Sequence, residues 1–100
     1  MQVFIPFQEA FRKRMCDGIK TQTARTKRYG KEGDTFIAFE TMFQIVDVFK
    51  SSLGIVAGKD FKTEGFDNIE AFWHLWDKLH PRKRYTNDDI VWVHRFKRLP

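Results

Sequence analysis

One hundred residues are the length of a single domain, and 42% hydrophobic, 31% charged and 16% aromatic residues exclude a disordered tail. The net charge of +5 is segregated: positions 12–31 hold eight basic residues against Asp17 alone, positions 80–100 sum to +4, and positions 32–79 sum to −5. If the two basic ends meet in the fold, they make one face suited to a polyanion. With one cysteine, Cys16, no apolar run of spanning length and no signal-like start, the chain is expected to be a monomer of the cytoplasm, without an internal disulfide or a membrane partner.

Val3 to Phe7, bounded by Pro6, reads as a short strand or lead-in segment. Phe7, Phe11 and Met15 then recur at helical spacing, with Arg12, Lys13 and Arg14 on the other sides and Gly18 as the stop. Ile19 to Arg25 is Thr-rich and reads as an irregular turn running into a strand, and Lys27 to Asp34 as a loop. Thr35 to Phe39 and Phe43 to Phe49 are strands. Leu53 to Val56 continues the second strand or forms another. Asp67 to Glu70 has the spacing of a capping box, opening a helix whose apolar face is Ile69, Phe72, Trp73, Trp76 and Leu79 and which Pro81 ends. That face makes Trp73 and Trp76 core residues rather than a ligand platform, with His74 on the solvated side. Ile90 to Phe96 is the last strand.

Four pieces of the chain form an ordered set: Gly18, Ile19, Lys20, Thr21, Gln22, Thr23, Ala24, Arg25; then Gly33, Asp34 at the head of a strand; then Glu64, Gly65, Phe66 before a helix; then a closing strand ending in Phe96. The first resembles the G-x-K-T-x-T-x-R signature of ASCH domains, in the PUA-like superfamily, and the set spans nearly the whole chain. The resemblance implies an α+β fold, a small mixed β-barrel flanked by two or three helices. It also implies a cleft where the K-T-x-T turn faces the E-G-F loop. It associates the chain with RNA, DNA or nucleosides, and one branch resembles N(4)-acetylcytidine amidohydrolases. Carried over residue by residue, that branch implies a catalytic group of Lys20, Thr23 and Glu64.

Those residue types suit the chemistry. A neutral Lys20 could take the proton of a Thr23 nucleophile, and Glu64 could protonate a departing amine. Arg25 and Lys27 would lower the pKa of Lys20 and Glu64 would raise it, so the pair would titrate jointly. In a regular strand Lys20 and Thr23 would face opposite ways, so they share a site only if the chain bends near Gly18 to Thr21.

Each basic cluster carries a ring on which a base could stack: Tyr29 beside Lys27 and Arg28, and Tyr85 after Arg82, Lys83 and Arg84. Lys20 and Arg25 complete this nucleic-acid-binding set. His74, His80 and His94 lack metal-ligand spacing and cysteine partners, so neither metal nor cofactor is expected. The leading expectation is a module that binds RNA, another single-stranded nucleic acid or a modified nucleoside. The rival is an amidohydrolase acting on an acylated nucleobase. An adaptor using the acidic middle stretch is a weaker third.

Overall fold

The computed structural model describes residues 1–100. A 3-10 turn (Glu9–Phe11) leads into α1 (Arg12–Cys16), followed by β1 (Gln22–Arg25), β2 (Thr35–Ala38), β3 (Thr41–Ser52), α2 (Leu53–Lys59), α3 (Ile69–Leu79) and β4 (Ile90–Arg98). The four strands form one antiparallel sheet in the order β1-β4-β3-β2, with a single parallel bridge from Gln2 to Thr35 at its edge. Three α-helices lie beside this curled half-barrel, an α+β arrangement.

The curl has a local cause. Ile45 pairs with Phe96 and Asp47 with Arg95, so Val46 is an extra residue in β3, a bulge that bends the strand and increases its twist. β2 and β3 are joined through Phe39 and Glu40, both at positive φ (54° and 61°), a turn whose twist suits a two-residue hairpin.

Two apolar clusters fill the interior. One joins Leu53, Val56 and Ala57 of α2 and Phe72 and Trp76 of α3 to Val91 and Val93 of β4. The other holds Ile5, Met15, Phe36, Phe43, Ile45 and Phe96. β4 serves both.

Three local expectations are corrected. Leu53 to Val56 is the start of a helix, not strand: Ser52 Oγ accepts from the Ile55 N–H as its cap, and Leu53, Val56 and Ala57 bury one face. The cap of α3 is Asn68, whose Oδ1 accepts from the Ala71 N–H at 2.8 Å, while Asp67 instead pairs with Arg14 at 3.0 Å. At the N-terminus Val3 to Phe7 is the lead-in segment of the two alternatives, and the correction concerns Phe7, which precedes the helix, since that begins as a 3-10 turn at Glu9. Gln8, immediately before that turn, is still extended (φ −64°, ψ 140°), so helical backbone starts only beyond it.

Candidate functional site

The site is assembled at the end of α1. Gly18 takes a left-handed φ of 75°, and the N–H groups of both Ile19 and Lys20 donate back to the Arg14 carbonyl. The chain therefore bends before β1 begins, which resolves the alternation problem. Lys20 lies outside the strand, and both Lys20 and Thr23 line one cavity. The Arg14 guanidinium holds the other side, donating to the Gly65 carbonyl at 2.6 Å and to Asp67, while the Thr21 N–H donates to the Thr63 carbonyl at 2.9 Å. These bonds bring the signature turn and the Glu64 loop together.

The cavity measures about 320 Å³. Phe7, Phe11, Tyr29, Phe72 and Trp76 contribute aromatic lining, and Lys20, Thr23, Arg25 and Glu64 the polar part. Lys20, Thr23 and Glu64 are all buried, at 3%, 4% and 3% exposure. Lys20 Nζ donates to the carbonyls of Gln22 and Glu64 and sits 4.5 Å from the Phe11 ring centre. Glu64 Oε1 accepts from the Ala24 N–H at 3.0 Å, and Oε2 has no partner. Trp76 Nε1 is likewise buried without a partner.

Burial sets the protonation balance. It brings the Lys20 ammonium down to about 8, with Glu64 opposing and Arg25 adding to the fall. Burial is thus the larger cause, ahead of the neighbouring cations. Glu64 is pushed up, again by burial first, against the pull of Lys20, the Ala24 N–H and other neighbours. No ion pair joins the two side chains within 4.0 Å; the amine is held by carbonyls instead. The Thr23 hydroxyl accepts from Arg25 Nε at 2.9 Å, so Arg25 and not Lys20 is its partner.

The remaining expected residues divide. Arg25 and Tyr29 line the cavity, whereas Lys27 and Arg28 do not: Lys27 Nζ lies 5.0 Å from the Tyr29 ring, and Arg28 bonds the Gly30 carbonyl and lies over Trp92. Arg82, Lys83, Arg84 and Tyr85 line a separate open depression that shares His80 with the cavity. Sequence reading missed the aromatic wall of Phe7 and Phe11. It also placed Trp76 only in the core, where it is both core and wall, while Trp73 stays outside the cavity. His94 is another omission. It is fully buried, its Nε2 accepts from the Tyr29 N–H at 3.0 Å, its Nδ1 lies 3.4 Å from the Thr23 carbonyl oxygen, and burial lowers its pKa. It ties the Tyr29 wall to the sheet.

No family model and no curated protein matches the chain. Solved structures do. An ASCH domain from Lactobacillus crispatus superposes with a TM-score of 0.73 at 12% identity, over 97% of this chain and 77% of its own. The hypothetical protein PH0355 gives 0.67 at 16% identity, over 93% and 94%. Protein EF3133 from Enterococcus faecalis, of family DUF984, gives 0.69 at 13%, over 98% and 74%. At such identities the likeness is one of backbone arrangement, and what it establishes is that this chain has an ASCH-like fold.

Proposed function

We propose that the cavity receives a single nucleobase, presented by RNA or as a modified nucleoside, and that the domain is a binding module. The observation that carries this reading is the lining itself: aromatic walls around three buried polar side chains, in a volume within the range of small-ligand pockets. Base rings stack on aromatic side chains, and buried donors and acceptors then sort one base from another. Glu64 Oε2 and Trp76 Nε1, an acceptor and a donor without partners, both belong to lining residues. A buried polar group without a partner is costly, so a ligand that satisfies either atom gains from it.

A second reading has one specific observation behind it. With Lys20 brought down to about 8, a neutral amine is accessible near physiological pH in the same cavity as the Thr23 hydroxyl. In an amidohydrolase Thr23 Oγ1 would attack an acyl carbonyl as Lys20 took its proton. Glu64 would protonate the departing nucleobase amine, and water would then release the acid from Thr23. The hydrogen bonds favour binding over this route, because Lys20 faces carbonyls and Thr23 is engaged by Arg25.

The two readings part in one assay. Wild type, Thr23→Val, Glu64→Gln and Lys20→Arg are incubated with N(4)-acetylcytidine, the plain ribonucleosides and short single-stranded RNA, following bound ligand and released acetate. The expected result is binding by the wild type without acetate release. Thr23→Val should keep its affinity within a fewfold, and Lys20→Arg should retain part of it because the charge persists. Acetate release by the wild type that disappears in Thr23→Val would give the site to the hydrolase, and an absence of all binding would overturn both readings.

A further inference from the structure

We infer that the open depression beside the cavity is a phosphate subsite, so that the ligand is one nucleotide of an RNA strand with its base in the cavity and its phosphate on the Arg82–Arg84 loop. This rests on the nucleobase reading above and specifies what is attached to the base.

The depression, of about 420 Å³, is lined by His80, Arg82, Lys83, Arg84, Tyr85 and Asp77, with Pro81 at its edge. His80 borders both spaces. It stacks on Trp76 with ring centres 4.2 Å apart, and its Nδ1 donates to the Trp76 carbonyl at 2.8 Å. His80 is therefore a fixed partition with an aromatic cavity on one side and a cationic depression on the other. A nucleotide has the same layout, a planar aromatic base one sugar away from an anion.

The loop's charges are unevenly committed. Lys83 Nζ pairs with Asp89 at 3.1 Å and lies 4.6 Å from the Tyr85 ring, and Asp89 also accepts from the Thr86 N–H at 2.8 Å. Those bonds pin the loop. Arg82 and Arg84 are exposed and take part in no hydrogen bond, ion pair or cation–π contact, unlike Arg12, Arg14, Arg25, Arg28, Arg95 and Arg98. Two unengaged guanidinium forks on a pinned loop match phosphate oxygens in both charge and geometry. Asp77 is the only carboxylate of the lining and opposes an anion there, so the arginines must outweigh it.

The test is the double variant Arg82→Gln/Arg84→Gln, which breaks no bond of the fold and should leave the melting temperature unchanged. Affinities are measured across a range of salt for the four ribonucleosides and N(4)-acetylcytidine, their 5′- and 3′-monophosphates, and short single-stranded RNA. The wild type should bind a monophosphate more tightly than its nucleoside, and RNA more tightly still. The variant should lose that preference while keeping nucleoside affinity, and its salt slope for RNA should become shallower by about 0.7 for each phosphate that is no longer neutralised. Unchanged RNA affinity and slope in a variant that still binds nucleoside would overturn the subsite and leave the cavity reading standing. Monophosphates that bind as tightly as RNA would overturn the strand assignment in favour of a free nucleotide. Absence of nucleoside and RNA binding alike would remove the cavity reading, and the subsite with it.

Discussion

Lys20 shows how a single side chain is set by bonds made elsewhere. Its backbone is fixed by the Arg14 carbonyl, its loop partner by the Arg14 guanidinium, and Gly65 gives it room. Gly65 has φ of 100°, and a Cβ there would sit 3.0 Å from Lys20 Cδ and from the Phe11 ring, so both the conformation and the space call for glycine. The buried amine has a consequence for stability. Its pKa is about 8 in the fold against 10.5 ordinarily, so between these values the unfolded chain holds a proton that the folded one has released. Stability from this group must then rise as pH rises through that window. Denaturant unfolding of wild type and Lys20→Met at pH 8 and pH 10 should show the wild type gaining relative to the variant. A flat or falling difference would mean that the amine is not desolvated as described. Of the site, Lys20, Thr23 and Arg25 could be picked out in the sequence because they stand in the G-x-K-T-x-T-x-R run, and Glu64 because it heads the E-G-F piece of the same resemblance. Phe7, Phe11 and Trp76 could not, because a ligand wall and an apolar core select the same side chains.

The helices and the hairpin show why some elements were legible and others were not. α3 announces itself by apolar spacing, and Phe72 and Trp76 are buried as that spacing requires, while Ile69 and Leu79 at its ends stay largely exposed. α2 is hidden. Its sequence, LGIVAGK, combines β-branched residues with two glycines, all poor local evidence for a helix. Gly54 is there for packing, since a Cβ at that position would meet Asn87 Cβ at 2.7 Å. The Phe39 and Glu40 turn is equally unmarked, lacking the glycine or asparagine that such a hairpin favours. The start of α3 offers a clean comparison, because Asp67 and Asn68 are neighbours and only one caps the helix. Asn68→Ala should cost about 1 kcal/mol, by loss of the acceptor for the Ala71 N–H. Asp67→Ala removes an exposed pair with Arg14 and should cost well under that. Chemical denaturation of the two variants measures both, and a larger loss in Asp67→Ala than in Asn68→Ala would return the cap to Asp67.

At the scale of the molecule, β4 is the element on which everything converges. The last strand in sequence is central in space, paired with β1 on one side and β3 on the other, and that pairing also brings the basic stretch around β1 next to the basic C-terminal stretch. The two basic regions meet at these strands, where Arg95 Nε donates to Gln22 Oε1. β4 also joins the two apolar clusters, giving Val91 and Val93 to one and Phe96 to the other. Trp73 and Trp76 report only on the first cluster, whereas Phe96 packs against Phe7, Phe36 and Phe43 in the second. If the strand couples the clusters into one cooperative unit, damage in the second must be felt by the tryptophans of the first. Phe96→Ala empties a site that is 3% exposed and should cost roughly 3–5 kcal/mol, a large part of what such a domain has. In a Trp92→Phe background, which leaves Trp73 and Trp76 as the only tryptophans, unfolding followed by tryptophan fluorescence and by far-UV circular dichroism should shift to lower denaturant by the same amount on adding Phe96→Ala, with coincident midpoints. Were the fluorescence transition to stay at the midpoint of that background while the dichroism split in two, the clusters would unfold separately, and β4 would be two short pairings in series rather than one spine.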